Sequence, residues 1–361
     1  MSSPNTADGW LVVETLADQE MSLVFSDGRT KEFSALRRRK TFLRQAVTDA
    51  IEASVTELRN GAENTDHTVR VDTRTVRVLG VPVLGPTCDK YDGRVYGAQI
   101  WVGSIDATPP PPRTVVGWSF DPVAGTTFHG PGVDEKILGI PECHGPRTSP
   151  EIFQFYDEFP RRVELGPFVA SVGACEAPED DYFDGYIELT NARKESKVVH
   201  VSMRGVGIEA KRPLVRGLIN EITDVQPHSG GTYERQMARD LARMMATTHG
   251  VGQLDFATNI VTEWLTKPLH PLTSWVTEIP TFHPEDCPRV TVSRQRVVDG
   301  TSEYVETTAR VRFSNGQWIE TVIGLRAAVV GASGQGLITI RATAAEQPTL
   351  LTTNRGDHDD R

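Results

Sequence analysis

Apolar positions recur along this chain with two periods. In "KTFLRQAVTDAIEASVTEL" (40–58), Leu43, Ala46, Val47, Ala50, Ile51, Val55 and Leu58 fall at steps of three and four. That spacing predicts a helix with one buried face, and Asn60-Gly61 supplies its stop. "HTVRVDTRTVRVLGVPV" (67–83) alternates valine with polar residues instead, the pattern of a half-buried strand. Asp92-Gly93 in "YDGRV" then predicts a hairpin turn. "SPEIFQFYDEF" (149–159) predicts a second helix, with Ser149 at the cap and Pro150 in the first turn. "GYIELT" (185–190) and "KVVHVSM" (197–203) read as strands around the polar loop "NARKES", with Val199, Val201 and Met203 on the face opposite His200. "TYERQMARDLARMMATT" (232–248) carries Met237, Leu241, Met244 and Met245 in a stripe and predicts a connecting helix. "TTARVRFSNGQWIETVIGLRAAVV" predicts two strands around Asn315-Gly316, "GASGQG" (331–336) a further turn, and "LITIRA" a last strand.

Breaks in the pattern divide the chain. Four consecutive prolines in "DATPPPPR" (106–113) favour an extended spacer. "DVQPHSGGTYE" (224–234) is a second interruption, and the polar, aperiodic 344–361 reads as a disordered tail. The expected units are 9–105, 113–225 and 232–343. They share a faint repeat. Each opens on a strand beside glycine: "GWLVVETL" (9–16), "GWSFDPVAGT" (117–126) and "GQLDFATNI" (252–260). Each closes on a glycine-led apolar strand: "GAQIWVG" (97–103), "GLINEIT" (217–223) and "GLITIRA" (336–342).

Composition narrows the function classes. At 361 residues the chain suits two or three cores, and 38% hydrophobic with 24% charged residues is globular material. A net charge of −10 argues against a general nucleic-acid partner, since phosphate binding rests on Lys and Arg. No run approaches the roughly 18 apolar residues of a membrane span, so no membrane partner is expected. "MSSPNTADGW" has neither the basic nor the apolar region of a secretory signal, which makes the expected location cytoplasmic. Cys88, Cys143, Cys175 and Cys287 show no CxxC spacing and are expected as free thiols.

The densest chemistry is "TFHPEDCPRV" (281–290), with His283, Glu285, Asp286 and Cys287 close together. His283 and Cys287 have the i,i+4 spacing of metal ligands, but a metal site needs further ligands that the sequence does not identify. The structural reading is a helix start. Pro284 sits in the first turn, Glu285 and Asp286 lie where the helix dipole favours carboxylates, and Gly300 ends the helix after Asp299. That reading is preferred. His129, Cys143, His144 and Cys175 could assemble zinc, but their spacing matches no common pattern. "GASGQG" joins two strands and so reads as a turn, not a phosphate loop. "LRRRKTF" (36–42) is a basic run and "PEDDYFD" (178–184) an acidic loop expected to face solvent. No nucleophile elbow, P-loop, HExxH or kinase signature occurs. The expectation is a non-enzyme with no catalytic residues, no metal site and no cofactor. "QWIETVIGLRAAVV" is apolar on both faces, which implies a cover for the second face by the 232–248 helix or by another subunit.

"HPEDCPRV", the helix after it, the two strands around Asn315-Gly316 and "GLITIRA" together resemble the C-terminal half of a PAS domain. "GWSFDPVAGT" resembles a PAS first strand. The three-part layout, over about residues 9–342, resembles actinobacterial (mycobacterial-type) sensory proteins built from tandem PAS- and GAF-like domains. The resemblance implies an α+β fold: three tandem domains, each an antiparallel sheet flanked by helices. It implies a sensory or regulatory protein that binds a small apolar ligand or a protein partner and signals through protein contacts or self-association. No cysteine stands in the setting of flavin-binding light sensors, and His283 lies too early on its helix for a haem ligand. Two other readings stay open: a scaffold whose pockets are filled by its own side chains, and a metal-dependent enzyme should the His/Cys residues converge. Pocket volume discriminates, since a ligand site needs about 300 Å³ or more.

Overall fold

The computed structural model describes residues 9–17, 21–36, 45–88, 91–143, 145–178, 181–229, 248–314, 316–328 and 334–343, with Met237, Asp240, Leu241 and Met244 between them. Three large antiparallel sheets, together with few helices, make an α+β protein. The first sheet holds β1 (Trp10–Glu14), β2 (Ser22–Ser26), β3 (Arg29–Ala35), β4 (Thr65–Val71), β5 (Arg74–Leu84) and, after the short pair β6 (Thr87–Cys88) and β7 (Tyr91–Asp92), β8 (Val95–Ser104). The second holds β9 (Val115–Asp121), β10 (Thr126–His129), β11 (Arg147–Thr148), β12 (Tyr156–Glu158), β13 (Tyr182–Thr190), β14 (Ser196–Val206) and β15 (Leu214–Glu221). The third holds β16 (Gly250–Asp255), β17 (Ile260–Thr266), β18 (Thr281–Phe282), β19 (Tyr304–Arg312), β20 (Trp318–Ala327) and β21 (Gln335–Ala342).

One strand order recurs. The sheets run β2-β1-β8-β5-β4, β10-β9-β15-β14-β13 and β17-β16-β21-β20-β19, with short or edge strands added outside. Numbering five strands per sheet in chain order, each reads second, first, fifth, fourth, third. The opening strand of each unit therefore pairs with its closing strand: Leu11 faces Ile100, Gly117 faces Leu218, and Gly252 faces Ile338. The glycine-flanked openings and closings in the sequence mark the central strand pair of every sheet. Helical material falls between the second and third strands each time. It comprises α1 (Gln45–Arg59), then a π-helical turn (Val133–Leu138), α2 (Ser149–Phe153) and α3 (Arg162–Gly173), then a 3-10 turn (Thr273–Val276) and α4 (Cys287–Val298).

Helix α1 buries Val47, Ile51, Val55 and Leu58 against the first sheet, as its spacing predicts. Ala46 is exposed, because the buried stripe runs through Thr48 instead. Several boundaries differ from the sequence reading. Residues 67–83 are not one strand but most of the β4/β5 hairpin, turned at Asp72, whose φ of 53° is left-handed. Gly93 is left-handed at φ 67°, but it lies between β7 and β8, which are not partners of each other. The helix expected over 149–159 stops at Phe153, and Tyr156–Glu158 pair with β13 as a strand. Its cap is Thr148, one residue earlier than expected, in a capping box with Glu151. Helix α3 is unanticipated, because Gly166-Pro167 interrupts its sequence, yet it buries Phe168, Val169 and Val172. Helix α4 starts at Cys287 with Pro288 in its first turn, so Pro284 precedes the helix. Gly300 ends it at φ 68°. Most of the 232–248 helix, residues 37–44, Asn315, 331–333 and the 344–361 tail lie outside the described residues.

The first and second sheets share a core. Val12, Leu16, Phe25 and Tyr96 pack in one cluster with Val115, Val198, Leu218 and Ile222. Arg204 of β14 reaches across to Glu14 of β1. The second and third units meet through polar contacts and through Ile260, which packs against the second unit's core. The Thr148 hydroxyl donates to the Val276 carbonyl at 2.7 Å, and Arg162 pairs with Glu263 at 3.3 Å.

Candidate functional site

The HPED cluster is a clasp. The Asp286 carboxylate accepts the Arg310 backbone N–H and Nε–H, each at 2.9 Å, and Arg289 Nη2 at 2.9 Å. Glu285 accepts Arg310 Nη2 at 2.8 Å. Hydrogen bonds from Arg310 hold both carboxyls below the usual carboxylate range. The acids therefore do more than complement the helix dipole, because they tie the start of α4 to the middle of β19. His283 accepts the Glu285 N–H at 3.3 Å and sets its ring 4.8 Å from that of Trp318. Among the described residues, His283 and Cys287 are not part of any group of three or more His, Cys, Asp or Glu placed to hold a metal ion.

The second cluster is also structural. His129 Nδ1 lies 2.6 Å from the fully buried Asp134, which accepts Arg147 Nη2 at 2.8 Å and the Cys143 N–H at 2.9 Å. Burial pushes the Asp134 carboxyl up, and the His129 and Arg147 hydrogen bonds more than offset this, leaving it below its ordinary value. His129 is thereby committed, Cys143 is exposed, and His144 lies outside the described residues. Among the described residues no group of three or more His, Cys, Asp or Glu is placed to hold a metal ion. The acidic stretch 178–184 is not simply solvent-facing. Phe183 is buried, and Asp184 pairs with Arg161 at 2.8 Å, because the strand β13 begins there.

Two cavities stand out among the described residues. The smaller, about 110 Å³, lies between the second sheet and α2 and α3, walled by Phe120, Phe159, Val169 and Met203, and is lined from the third unit by Asp255, Thr258, Ile260 and Thr262. Tyr156 faces it, its hydroxyl pKa pushed up by burial. The larger, about 370 Å³, lies where the second unit meets the third. Gly125, Thr148 and Pro150 form one wall; Leu254, Trp275 and Phe282, with Val290 and Arg294 of α4 and Ile323 and Ile338 of the sheet, form the other. Its lining is mainly aliphatic and aromatic. Trp275 is held there by edge-on contacts with Trp264, Phe282 and Phe313, ring centroids 6.1, 6.1 and 6.3 Å away. No periodicity marks this site, since its residues come from six separate stretches of the chain. The paired tryptophans 264 and 275 and the Ile-Pro at 279–280 were the only local signals.

An α+β protein of three antiparallel sheets, with a ligand-sized apolar cavity at one junction, is the class these features define. Residues 9–111 match the family described as "Rv3651-like, N-terminal". No curated protein matches the chain. Among solved structures, the chain is similar to an uncharacterized protein from Mycobacterium tuberculosis, at 16% identity and a TM-score of 0.65, over 92% of this chain and 96% of that one. That likeness is one of fold. An RNA-binding Light-Oxygen-Voltage receptor aligns at 9% identity over 63% of this chain and 95% of the other, with a TM-score of 0.26, too low to carry argument. No helix among the described residues is long and apolar enough to cross a membrane.

Proposed function

We propose that this chain is a non-enzymatic sensory or regulatory protein of tandem PAS/GAF-like units. In this reading it binds a small, largely apolar ligand in the junction cavity and passes the signal on through protein contacts. The observation that carries the reading is the volume and lining of that cavity. At about 370 Å³ it exceeds the roughly 300 Å³ of a ligand site, and its walls are mainly apolar. The threefold strand order, with helical material always between the second and third strands, supports the PAS/GAF resemblance. Because one wall belongs to the second unit and the other to the third, a ligand would favour the arrangement that fits it. Occupancy would then shift populations rather than drive a reaction.

The alternative is a scaffold without ligand, and the 110 Å³ cavity, below ligand size, favours that role for the space between the second sheet and α2 and α3. Native mass spectrometry of the chain purified from its own host, followed by denaturation, separates the two. A stoichiometric small molecule that is lost in Val290→Trp, which fills the larger cavity, supports sensing. A clean apo mass together with no uptake of apolar probes would leave the scaffold.

A further inference from the structure

Among the described residues, Arg294 is the one Lys or Arg in the wall of the junction cavity, and it has no counter-charge. It projects from the middle of α4, and its Nη2 donates to the Phe256 carbonyl. Its Nε is shielded from solvent and has no hydrogen-bond acceptor. The other charged side chain in the lining, Glu278, is committed elsewhere, accepting the Ser314 N–H at 2.9 Å. Among the described residues Arg294 forms no ion pair. A guanidinium without a counter-charge in an apolar wall costs free energy that an acceptor reaching its cavity side recovers. The acceptor that recovers most is anionic, because a charge-assisted bond to Arg is roughly twice as strong as a neutral one.

Resting on the ligand-binding reading above, we propose that the cavity's ligand is an amphipathic acid, with an aliphatic chain against Trp275, Ile323 and Ile338 and a carboxylate on Arg294. The carboxylate supplies the guanidinium's missing counter-charge from the cavity side, while the chain occupies the apolar remainder. Neutral chains of equal length gain only the second contribution. The site therefore discriminates by charge at one end and by apolar contact along the rest.

Isothermal titration with decanoate and with decan-1-ol tests this on the full chain and three variants. Wild type is expected to bind decanoate at least about tenfold more tightly than decan-1-ol, a ratio equivalent to about 1.4 kcal/mol. Arg294→Met should abolish the preference while keeping decan-1-ol binding, and Arg294→Lys should restore part of it. Should the Met variant fail a thermal-melt check, because the Phe256 contact is lost, the Lys variant carries the comparison. Equal affinity for the two probes, with both lost in Val290→Trp, would overturn the acid and leave the cavity as a neutral ligand site. No binding of either probe to wild type, or binding that Val290→Trp does not weaken, would overturn both the acid and the cavity reading.

Discussion

Removing Arg204 while leaving Glu14 in place should be among the most damaging single changes in the chain. The two groups are 3% and 0% exposed, and they join the first and second sheets. Arg204 Nε and Nη2 lie 3.2 and 3.1 Å from Glu14 Oε1, Glu14 Oε2 accepts the Leu16 N–H at 2.9 Å, and Arg204 stacks 4.6 Å over the Phe33 ring. Arg204→Met keeps most of the stem's packing but strands a carboxylate in an apolar core. Breaking one side of such a pair costs about 3–5 kcal/mol. The two units share one core cluster, so they should melt together, and for a body of that size the loss corresponds to about 6–20 °C in Tm. Glu14→Leu with Arg204→Met should recover most of it, since replacing both members of a buried pair is often near neutral. The pH response adds a second test. Burial already pushes the Glu14 carboxyl up, and Arg204 is the strongest group pulling it back. Without Arg204 its folded pKa stands well above 4.5, so the folded variant holds a proton that the unfolded chain releases. The variant's stability should then fall as pH rises above 4.5. Scanning calorimetry on the two single variants and the double variant reads all of this. Single losses below about 1 kcal/mol that add in the double would refute the reasoning.

Three further outcomes follow from contacts elsewhere. Asp286 is held below its ordinary pKa of 3.8 by Arg310, so its contribution is present above that pH and lost as pH falls below it. Asp286→Asn should thus lower the wild-type Tm at neutral pH and flatten its decline below about pH 4, read by urea melts across that range. In Gly166→Ala the new Cβ would stand 1.9 Å from Asp255 Oδ2, and Asp255 is fixed by the N–H groups of Ala257 and Thr258, both at 2.9 Å. Overpacking at that contact between the second and third units should cost about 1–3 kcal/mol in a denaturant melt. Ile51→Ala, at 0% exposure in α1, should cost about 2–5 kcal/mol, read in the transition that the first and second sheets share.

The legibility of this chain tracks how local each feature is. Strands β13, β14 and β19–β21 were readable because alternation and turn residues encode them within a few positions, and Val199, Val201 and Met203 do share the core face. Helix α3 was not, since Gly166 and Pro167 are both helix-unfavourable by propensity. Gly166 stands there because Asp255 of the third unit approaches too closely for any side chain. That is a tertiary demand, invisible to periodicity. The HPED stretch shows the same limit. A helix start was legible, whereas the fixing of Asp286 depends on Arg310, 24 positions away. The stripe of Met237, Leu241 and Met244, expected to cover the third sheet, is solvent-exposed at 43%, 51% and 77%. Amphipathic spacing identifies a face but not what covers it.

The two junctions differ in a way that bears on where a signal could act. Between the first and second sheets lies a contiguous apolar core with a fully buried ion pair, and separating those surfaces would expose both at a cost of several kcal/mol. Between the second and third the direct polar contacts are few. The Thr148–Val276 hydrogen bond stands beside the cavity of about 370 Å³ and the Arg162–Glu263 pair beside the one of about 110 Å³, rather than in a filled core. A cavity lacks the dispersion contacts that would hold its walls at one separation. The free-energy difference between neighbouring arrangements is accordingly smaller there, and a bound ligand can shift the equilibrium by no more than its differential affinity for them. A molecule that touches both walls acts on the softer junction of the two, and the 110 Å³ cavity, lined from the third unit by Asp255, Thr258, Ile260 and Thr262, borders that same junction.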